Sequence, residues 1–280
     1  MKIKYLHIIV ILFGFFIASH TQANNGRYNN KILLSNVINK DSSIPLKYRL
    51  RKYAHVEHFY KAIAKPVTEL CIKENVPPAA VLAMAALESG WNRGYVGRIT
   101  GNILSLGARK GDKELPALYL PDYIKKGNVV FDSLKIAKYK KSNLVWKQRP
   151  PSLKKDYRPA KIAGTKYQLA YFKYHPRAKA KAQIHNVKDF LNIFISHKSK
   201  ISAYRKARQH LDSLVLKNGK KILLDKNTNL YFINAISGRP NTFNYRKTWP
   251  KKVTSILNNA GLVELTKQLY LKNKKFEQVW

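Results

Sequence analysis

The strongest determinant of the fold in this sequence is an apolar run, "NVPPAAVLAMAALESGW", from Asn75 to Trp91. Its paired prolines suit a first helical turn that Asn75 can cap. Gly90 is a residue type that commonly ends a helix. The run therefore predicts a helix that stops at Gly90 and carries a single acid, Glu88, near its end.

Glu88 lies on the apolar face of this predicted helix. Positions 81, 84 and 88 share one face, so Glu88 continues a stripe begun by Val81 and Met84. Partial desolvation and the negative end of the helix dipole both raise the pKa of a carboxyl placed there. A carboxyl that keeps its proton near neutral pH can act as a general acid. The alternative is an outward-facing Glu88 paired with a lysine, which the inward register and the neighbouring Gly90 and Trp91 disfavour.

The rest of the chain predicts a mainly α, α+β fold, with a small β-rich lobe inserted after the Glu88 helix. Helical spacing of apolar residues predicts a first helix over 53–72, interrupted or kinked at Pro66. Glycine and proline punctuate short apolar pieces over 99–166, which favours strands and loops. The stretch "KYQLAYF", 166–172, alternates in the manner of a strand. Further helices are predicted around 184–194, 230–236 and 248–257.

The composition predicts a folded protein with a strongly basic surface. The 280 residues include 53 Lys and Arg against 15 Asp and Glu, a formal net charge of +38. Hydrophobic residues make up 45% of the chain, which is enough to build a packed core. Such an excess of positive charge predicts an anionic partner: nucleic acid, acidic lipid headgroups or an anionic cell-wall polymer.

The amino-terminal segment predicts export. Residues 1–23 combine a basic start, the apolar run "IIVILFGFFIA" and a small residue for cleavage, as in a signal peptide. The apolar run is short for a membrane span, so no stable span is expected after cleavage; an uncleaved anchor is the alternative. We therefore expect a protein of the periplasm or cell envelope, or a secreted one, with no specific nucleic-acid partner. A polar extension is expected over 24–50, a folded domain over 51–265 and a basic tail over 266–280.

Cysteine and histidine usage predicts neither a disulfide nor a metal centre. Cys71 is the only cysteine, and its apolar neighbours favour a buried, inert thiol. His55 and His58 are the only histidines spaced to share a helix face, and no HExxH motif occurs. A solvated face is the simpler interpretation of that pair, so we expect no metal and no cofactor.

The segment "AALESGWNRGYVGRITGNILSLG" resembles the "ALESGWG…NNLFG" segment of the bacterial glucosaminidase family. These are peptidoglycan hydrolases of the lysozyme-like superfamily, and the resemblance is to the Bax-like branch in particular. It extends more loosely from about Val67 to Leu262, where "YFKYHPRAKAKAQIHNVKDFLNIFISHKSKISAYRKAR" is similar to the family's strand-then-helix stretch. The resemblance implies a lysozyme-like fold, a glucosaminidase-like catalytic domain over 51–265 and a catalytic acid at Glu88.

Two places depart from the family's pattern. Gly101-Asn102-Ile103-Leu104-Ser105 stands where the family has Asn-Asn-Leu-Phe-Gly. In "NTFNYRKTW", the spacing to Arg246 puts Phe243 where the family has a tyrosine. Tyr245, two residues further on, is then the candidate to supply the missing hydroxyl.

Cleaving a glycosidic bond also requires stabilisation of positive charge at the sugar carbon, commonly by a second carboxylate. Asp112 and Glu114, in "RKGDKELP" of the β-rich lobe, are the first candidates, and each is alternatively a solvated acid among lysines. The acetamido group of an N-acetylhexosamine substrate is another source of assistance that needs no second carboxylate. Trp91, Tyr95 and Asn102 are the candidate substrate-binding residues. Aromatic faces such as that of Trp91 stack on sugars, although they also fill cores.

Together these features predict an exported peptidoglycan hydrolase that cleaves glycan strands at N-acetylglucosaminyl linkages, with Glu88 as general acid. Its partners are then the glycan strands and the anionic surface of the cell wall. A lytic transglycosylase, which also uses one glutamate, is the close alternative. A non-catalytic wall-binding scaffold, favoured by Phe243, and a secreted cationic nucleic-acid binder, suggested by charge alone, are the other two hypotheses.

Overall fold

The described part of the chain is mainly helical and carries one small antiparallel sheet, which confirms the predicted α+β class at this level. The computed structural model describes residues 46–159 and 169–280. Within these ranges the α-helices are α1 (Ala54–Lys73), α2 (Pro78–Ser89), α3 (Tyr95–Thr100), α4 (Ser133–Lys138), α5 (Tyr171–Tyr174), α6 (Pro176–Asp189), α7 (Ser202–Asn218), α8 (Lys226–Ala235), α9 (Trp249–Asn259) and α10 (Leu262–Leu271). The strands β1 (Tyr119–Tyr123), β2 (Asn128–Val129) and β3 (Leu144–Gln148) pair in the order β2-β1-β3, with Leu120 opposite Lys147.

Helix α2 is the apolar run, and it forms the centre of the helical core. Every residue from Pro78 to Ala86 is buried. The helix packs against α1, α8, α9 and α10, so no polar face is needed on most of its length. Gly90 ends it in the left-handed conformation, with φ of 56°, as the sequence predicts. Burying a side chain such as Leu82 or Met84 stabilises the fold by about 1.5–3 kcal/mol.

The amino-terminal end of α2 is capped by a distant residue, so the predicted cap at Asn75 is wrong. Pro77 occupies the cap position and offers no side-chain hydrogen bond. The Asn75 amide instead donates to Asp212 Oδ1 (2.8 Å). The backbone N–H of Ala80, which has no partner within the helix, donates to Asn229 Oδ1 (2.8 Å), 149 residues along the chain in α8. Docking of α8 therefore completes the first turn of α2.

Helix α1 runs without a break through Pro66, so the predicted interruption is wrong. A proline inside a helix removes one hydrogen bond and costs about 3 kcal/mol. Ile63 and Val67 lie on either side of it and are 0% and 1% exposed. Their burial against the core offsets the local penalty, which the helical spacing alone does not reveal.

The β-rich lobe lies between α2 and α6 and mixes strands with short helices. The predicted strands and loops are confirmed for 119–148, which contains all three strands and also α4. The segment 99–118 contains no strand of the sheet, and Gly107 and Glu114 make only isolated bridges to the 154–155 backbone. The lobe has its own small core, formed by Ile99, Leu115, Leu120 and Phe131.

The predicted strand over 166–172 is wrong where the structure describes it. Tyr171 and Phe172 begin the short helix α5, and Phe172 is buried at 5% exposure. Residues 166–168 lie outside the described residues. A run of alternating large and small side chains also fits one turn of helix that buries a single ring, and here the following Pro176 starts α6.

The carboxyl-terminal segment 266–280 is folded, although its charge predicts a tail. Leu269 and Phe276 are 2% and 8% exposed. The Arg51 guanidinium donates to the carbonyl oxygens of Val279 (2.6 Å) and Ala260 (3.0 Å), which ties this segment to the 46–52 turn. The predicted signal peptide over 1–23 and most of the extension over 24–50 lie outside the described residues. No described helix has the length and apolar character required to cross a bilayer.

Candidate active site

Glu88 lies half-buried in the last turn of α2, where a tryptophan holds its carboxyl group. The indole Nε1 of Trp249 donates a hydrogen bond to Glu88 Oε1 (2.7 Å). Trp249 is the first residue of α9 and is only 4% exposed, so its ring is fixed by packing. Since α2 and α9 pack side by side, the two side chains meet although 161 residues separate them.

The chain turns sharply away from α2 immediately after Glu88. Gly90, Trp91 and Asn92 all have positive φ angles, of 56°, 53° and 59°. Ser89 closes this turn, because its Oγ donates to the Ala85 carbonyl (2.6 Å) and accepts from the Asn92 backbone N–H (2.8 Å). Left-handed conformations cost energy for residues other than glycine, and such strain is concentrated at functional sites. The turn ends the helix abruptly, directly after the last turn that carries Glu88.

Burial raises the pKa of the Glu88 carboxyl above its ordinary value. The hydrogen bond from Trp249 and the positive charges of Lys154 and Arg246 act in the opposite direction and favour the carboxylate. Desolvation outweighs them, so the net shift is upward, as the sequence predicts. The site thus holds a carboxyl that resists ionisation and that has groups ready to stabilise its anion.

Phe243 packs behind Trp249 and supports its orientation. Its ring centroid lies 5.5 Å from that of Trp249 and 5.5 Å from that of Phe190, the second pair edge to face. The position where the resemblance implies a tyrosine is therefore a packing position. Tyr245, the other candidate, is 68% exposed, and no hydrogen bond joins it to Glu88 within the described residues.

Lys154 links Glu88 to the loop that follows α3. Its ammonium group donates to the Ser105 carbonyl oxygen (2.6 Å) and interacts electrostatically with the Glu88 carboxyl. Ser105 has a φ of 55°, so the loop presents this carbonyl from a left-handed position. The "GNILSLG" segment thus reaches the site through the backbone carbonyl of Ser105, which holds Lys154.

Asn102 holds this loop in place. The sequence predicts that Asn102 binds substrate, but its side chain is not free to do so. Its side chain is 1% exposed. Its Nδ2 donates to the carbonyls of Leu106 (2.8 Å) and Lys155 (3.0 Å), and its Oδ1 accepts from the Leu106 N–H (2.8 Å) and from Asn186 Nδ2 (2.9 Å). The amide has no remaining donor, so its role is to position the loop.

Asp112 and Glu114 belong to a separate network around Lys155. The Lys155 ammonium pairs with Asp112 (2.8 Å) and with Asp189 (2.8 Å). Partial burial acts to raise the pKa of Asp112, but the hydrogen bonds from Lys155 and from the Arg109 backbone outweigh it and lower that pKa. Glu114 is exposed and makes an isolated backbone bridge with Lys155. No hydrogen bond or ion pair of the described residues joins either acid to Glu88.

Trp91 and Tyr95 line two different grooves, which share Arg98 of α3. Trp91 packs partly against the helical core and meets the ring of His55 edge to face, at 5.8 Å. It lines a groove of about 490 Å³ together with His55 and His58. Tyr95 lines a groove of about 480 Å³ beside the sheet. Neither groove is lined by Glu88, so the structure does not bring these two aromatic residues together with the acid.

The described cysteine and histidine side chains form no metal-binding group around the acid. Cys71 is fully buried, and burial raises the pKa of its thiol, which makes the reactive thiolate rare. Among residues 46–159 and 169–280, no group of three or more His, Cys, Asp and Glu side chains is placed to hold a metal ion.

The partners of Glu88, namely Trp249, Lys154 and Arg246, were not identified by sequence reasoning. "TWPKKV" marks the start of a helix, because a threonine and an early proline flank Trp249. Nothing in that pattern shows that the indole N–H meets an acid in another helix. Lysine and arginine are so abundant here that no local signal distinguishes the two cations beside Glu88.

Comparisons with protein-family models, with curated proteins and with solved structures gave no match. The glucosaminidase resemblance therefore stays a prediction from the segment around Glu88. The chemistry of the site has to be derived from its own geometry.

Proposed function

We propose that this protein is an exported glycoside hydrolase of lysozyme-like architecture that cleaves peptidoglycan strands at N-acetylglucosaminyl linkages, with Glu88 as the general acid. The observation that carries the proposal is the half-buried Glu88 carboxyl, whose pKa burial raises and whose Oε1 accepts the Trp249 indole N–H. The position of this acid, at the end of a buried helix and before a small sheet, supports the architecture.

The geometry supports proton donation by one particular oxygen of Glu88. Oε1 already accepts the Trp249 N–H, so the proton of the neutral acid resides on Oε2. Transfer of this proton to the leaving glycosidic oxygen produces a carboxylate. The indole and the charges of Lys154 and Arg246 then stabilise that anion, since these groups lower the pKa of Glu88.

The charges around Glu88 support a mechanism with one protein carboxylate. The groups that act on its pKa, apart from burial, are an indole and two cations. Asp112 is paired with Lys155, and Glu114 is exposed. Charge at the sugar carbon is then stabilised by the substrate's own acetamido group, which is an established alternative to a second carboxylate.

The same observation favours a second candidate, a lytic transglycosylase, which also works with one glutamate. The two reactions differ in their products. Reducing-end analysis of digested peptidoglycan is expected to give free reducing sugars for a hydrolase. A 1,6-anhydromuramyl product identifies the transglycosylase instead.

Replacement of Glu88 tests the proposal directly. Glu88→Gln keeps an oxygen for the Trp249 hydrogen bond but cannot donate a proton in the same way, so we expect glycan cleavage to fall by about 10²–10⁴-fold. Release of soluble fragments from purified peptidoglycan measures it. The matched control is Glu69→Gln, because Glu69 is exposed on α1. This variant is expected to cleave at the wild-type rate. Equal cleavage by Glu88→Gln removes this acid from the mechanism, and no cleavage by any form favours a wall-binding scaffold.

A further inference from the structure

A second site lies in the groove of about 490 Å³ between α1, α3 and α6. Part of its wall is apolar, from Phe59, Ala62, Pro176 and Ala180. The polar lining consists of His55, His58, Asn92, Arg98, Lys179 and Gln183. No acid among the described residues lines this groove, so its polar side is cationic.

Arg98 stands where this groove meets two others, of about 310 and 480 Å³. Its guanidinium lies 4.7 Å from the Phe131 ring centroid and 3.7 Å from Asp132 Oδ2. Within the part of the chain that the structure describes, Asp132 is the one acid that lines either of the neighbouring grooves. The cations lining the three grooves are Arg93, Arg98, Lys126, Lys135, Lys173 and Lys179. Positive charge therefore exceeds negative charge throughout this surface.

Lys179 is a half-buried cation with no carboxylate partner among the described residues. Burial lowers the pKa of its ammonium group, and repulsion from Arg98 lowers it further. Asp132 already lies beside Arg98, so Lys179 is the cation of this pair that lacks a carboxylate, and a partly desolvated cation without an anion destabilises the folded protein. The pair is thus arranged for an anionic ligand.

Gln183 lies one helical turn after Lys179 on α6 and provides a second, independent feature of the site. It is 3% exposed, lines the groove and makes no side-chain hydrogen bond within the described residues. By contrast, Asn186 on the same helix bonds both the Leu104 N–H and Asn102. Because its side chain lines the groove and has no partner among the described residues, the Gln183 amide is a donor and an acceptor available to a ligand.

We infer that this groove binds an acidic peptide, with a carboxylate between Lys179 and Arg98 and a backbone amide against Gln183. A primary amide side chain pairs with a peptide bond, because each offers one acceptor and at least one donor. The apolar wall accommodates the aliphatic part of the peptide. The site itself is independent of the Glu88 chemistry, whereas its identification with the peptide stems of the cell wall rests on the proposed function.

Titration calorimetry of the full chain with N-acetyl-alanyl-glutamate tests the site. We expect binding of this dipeptide and at least about tenfold weaker binding of its analogue with both carboxyls amidated, because the carboxylate supplies the charge. Inorganic phosphate is the third probe. Equal binding of the amidated analogue, or binding of phosphate without the dipeptide, overturns the peptide assignment.

Lys179→Gln is expected to weaken dipeptide binding by at least about tenfold. Lys181→Gln is the matched control, since it removes the same charge from an exposed position of α6 that does not line the groove. Its affinity should stay within about twofold of the wild type. Unchanged dipeptide affinity in Lys179→Gln contradicts the site.

Thermal unfolding separates a binding defect from a folding defect. Removing an unpaired, desolvated ammonium beside Arg98 should leave the Tm of Lys179→Gln at or above that of the wild type. Gln183→Leu, which removes an amide without a hydrogen-bond partner among the described residues, serves as a second variant that is expected to stay folded and to lose affinity. Loss of affinity only in variants with a lowered Tm overturns the assignment.

The binding assay contains no glycan, so its outcome does not depend on catalysis. If Glu88→Gln still cleaves peptidoglycan while Lys179→Gln loses the dipeptide, the proposed catalytic role fails and the groove stands. If Glu88→Gln is inactive while Lys179→Gln binds the dipeptide as the wild type does, the groove fails and the catalytic role stands.

Discussion

Glu88 couples the protonation of one side chain to the stability of the whole fold. Burial raises the pKa of its carboxyl, so the folded protein binds this proton more tightly than the unfolded chain does. Between the ordinary pKa of glutamate and the raised value, the folded state carries more protons. Its free energy of unfolding therefore falls as pH rises through that interval.

Replacing Glu88 with a side chain that does not titrate is expected to stabilise the folded protein more at neutral pH than at acid pH. Glu88→Gln keeps the acceptor for Trp249 but has no charge to bury, so its Tm should exceed that of the wild type more at pH 7 than at pH 4. Differential scanning calorimetry across this range measures the difference. A gap in Tm that stays constant with pH contradicts the raised pKa.

Trp249→Phe provides the companion measurement at the same site. It removes the hydrogen bond that favours the carboxylate, so the pKa of Glu88 should rise further. The pH interval over which the protein loses stability should then extend upward relative to the wild type.

At the scale of elements, the packing of α8 against α2 depends on one buried amide. Asn229 is 0% exposed and accepts from the Ala80 N–H, while its Nδ2 donates to the carbonyls of Leu223 (3.0 Å) and Asp225 (2.7 Å). Asn229→Ala removes the partners of the Ala80 N–H and of the Leu223 carbonyl, whereas the Asp225 carbonyl still accepts from the backbone N–H of residue 229. We expect the free energy of unfolding to fall by about 2–3 kcal/mol, as measured by urea denaturation.

Asn234→Ala is the control for this element. Asn234 is an exposed residue of α8, and its amide makes one local bond, to the Leu230 carbonyl (2.9 Å). Its replacement should change the free energy of unfolding by no more than about 0.5 kcal/mol. Similar losses from both variants argue against the capping role of Asn229.

The difference between Gly90 and Asn75 shows how far the sequence predicts these elements. The end of α2 depends on the local conformation of Gly90, so a local pattern suffices to locate it. The cap at its start depends on a residue 149 positions away, and the nearby Asn75 offers a plausible but wrong candidate. The interruption predicted at Pro66 is wrong for a similar reason, because burial of the neighbouring side chains keeps the helix continuous.

The candidate site likewise contains features that the local sequence predicts and features that depend on packing between distant segments. The half-buried position and raised pKa of Glu88 are predicted by helical spacing together with its place in the last turn of the helix. Trp249 becomes its partner only because α2 and α9 pack together. Asn102 is a candidate substrate-binding residue by its place in the segment that resembles the family, but folding encloses its amide among backbone groups, which the local sequence does not reveal.

At the scale of the whole molecule, the net charge of +38 should govern capture of the wall more than cleavage of its glycan. Attraction between exposed charges is screened over about 8 Å at physiological salt and over about 3 Å at 1 M. A proton transfer from a half-buried carboxyl to a neutral sugar involves no such long-range attraction. Capture and catalysis are therefore expected to respond differently to salt.

Co-sedimentation with insoluble peptidoglycan and hydrolysis of a neutral N-acetylglucosamine oligomer measure the two processes. Between about 50 mM and about 500 mM NaCl we expect sedimentation affinity to fall at least about tenfold, while the rate on the neutral oligomer changes by less than about twofold. Double-stranded DNA is the competing anion, and its binding should also weaken with salt. If the protein binds DNA but does not sediment with peptidoglycan at any salt concentration, its charge serves a nucleic acid and not a wall. If wall binding does not weaken with salt, the basic surface is not what captures the polymer, and contacts in the grooves must hold it.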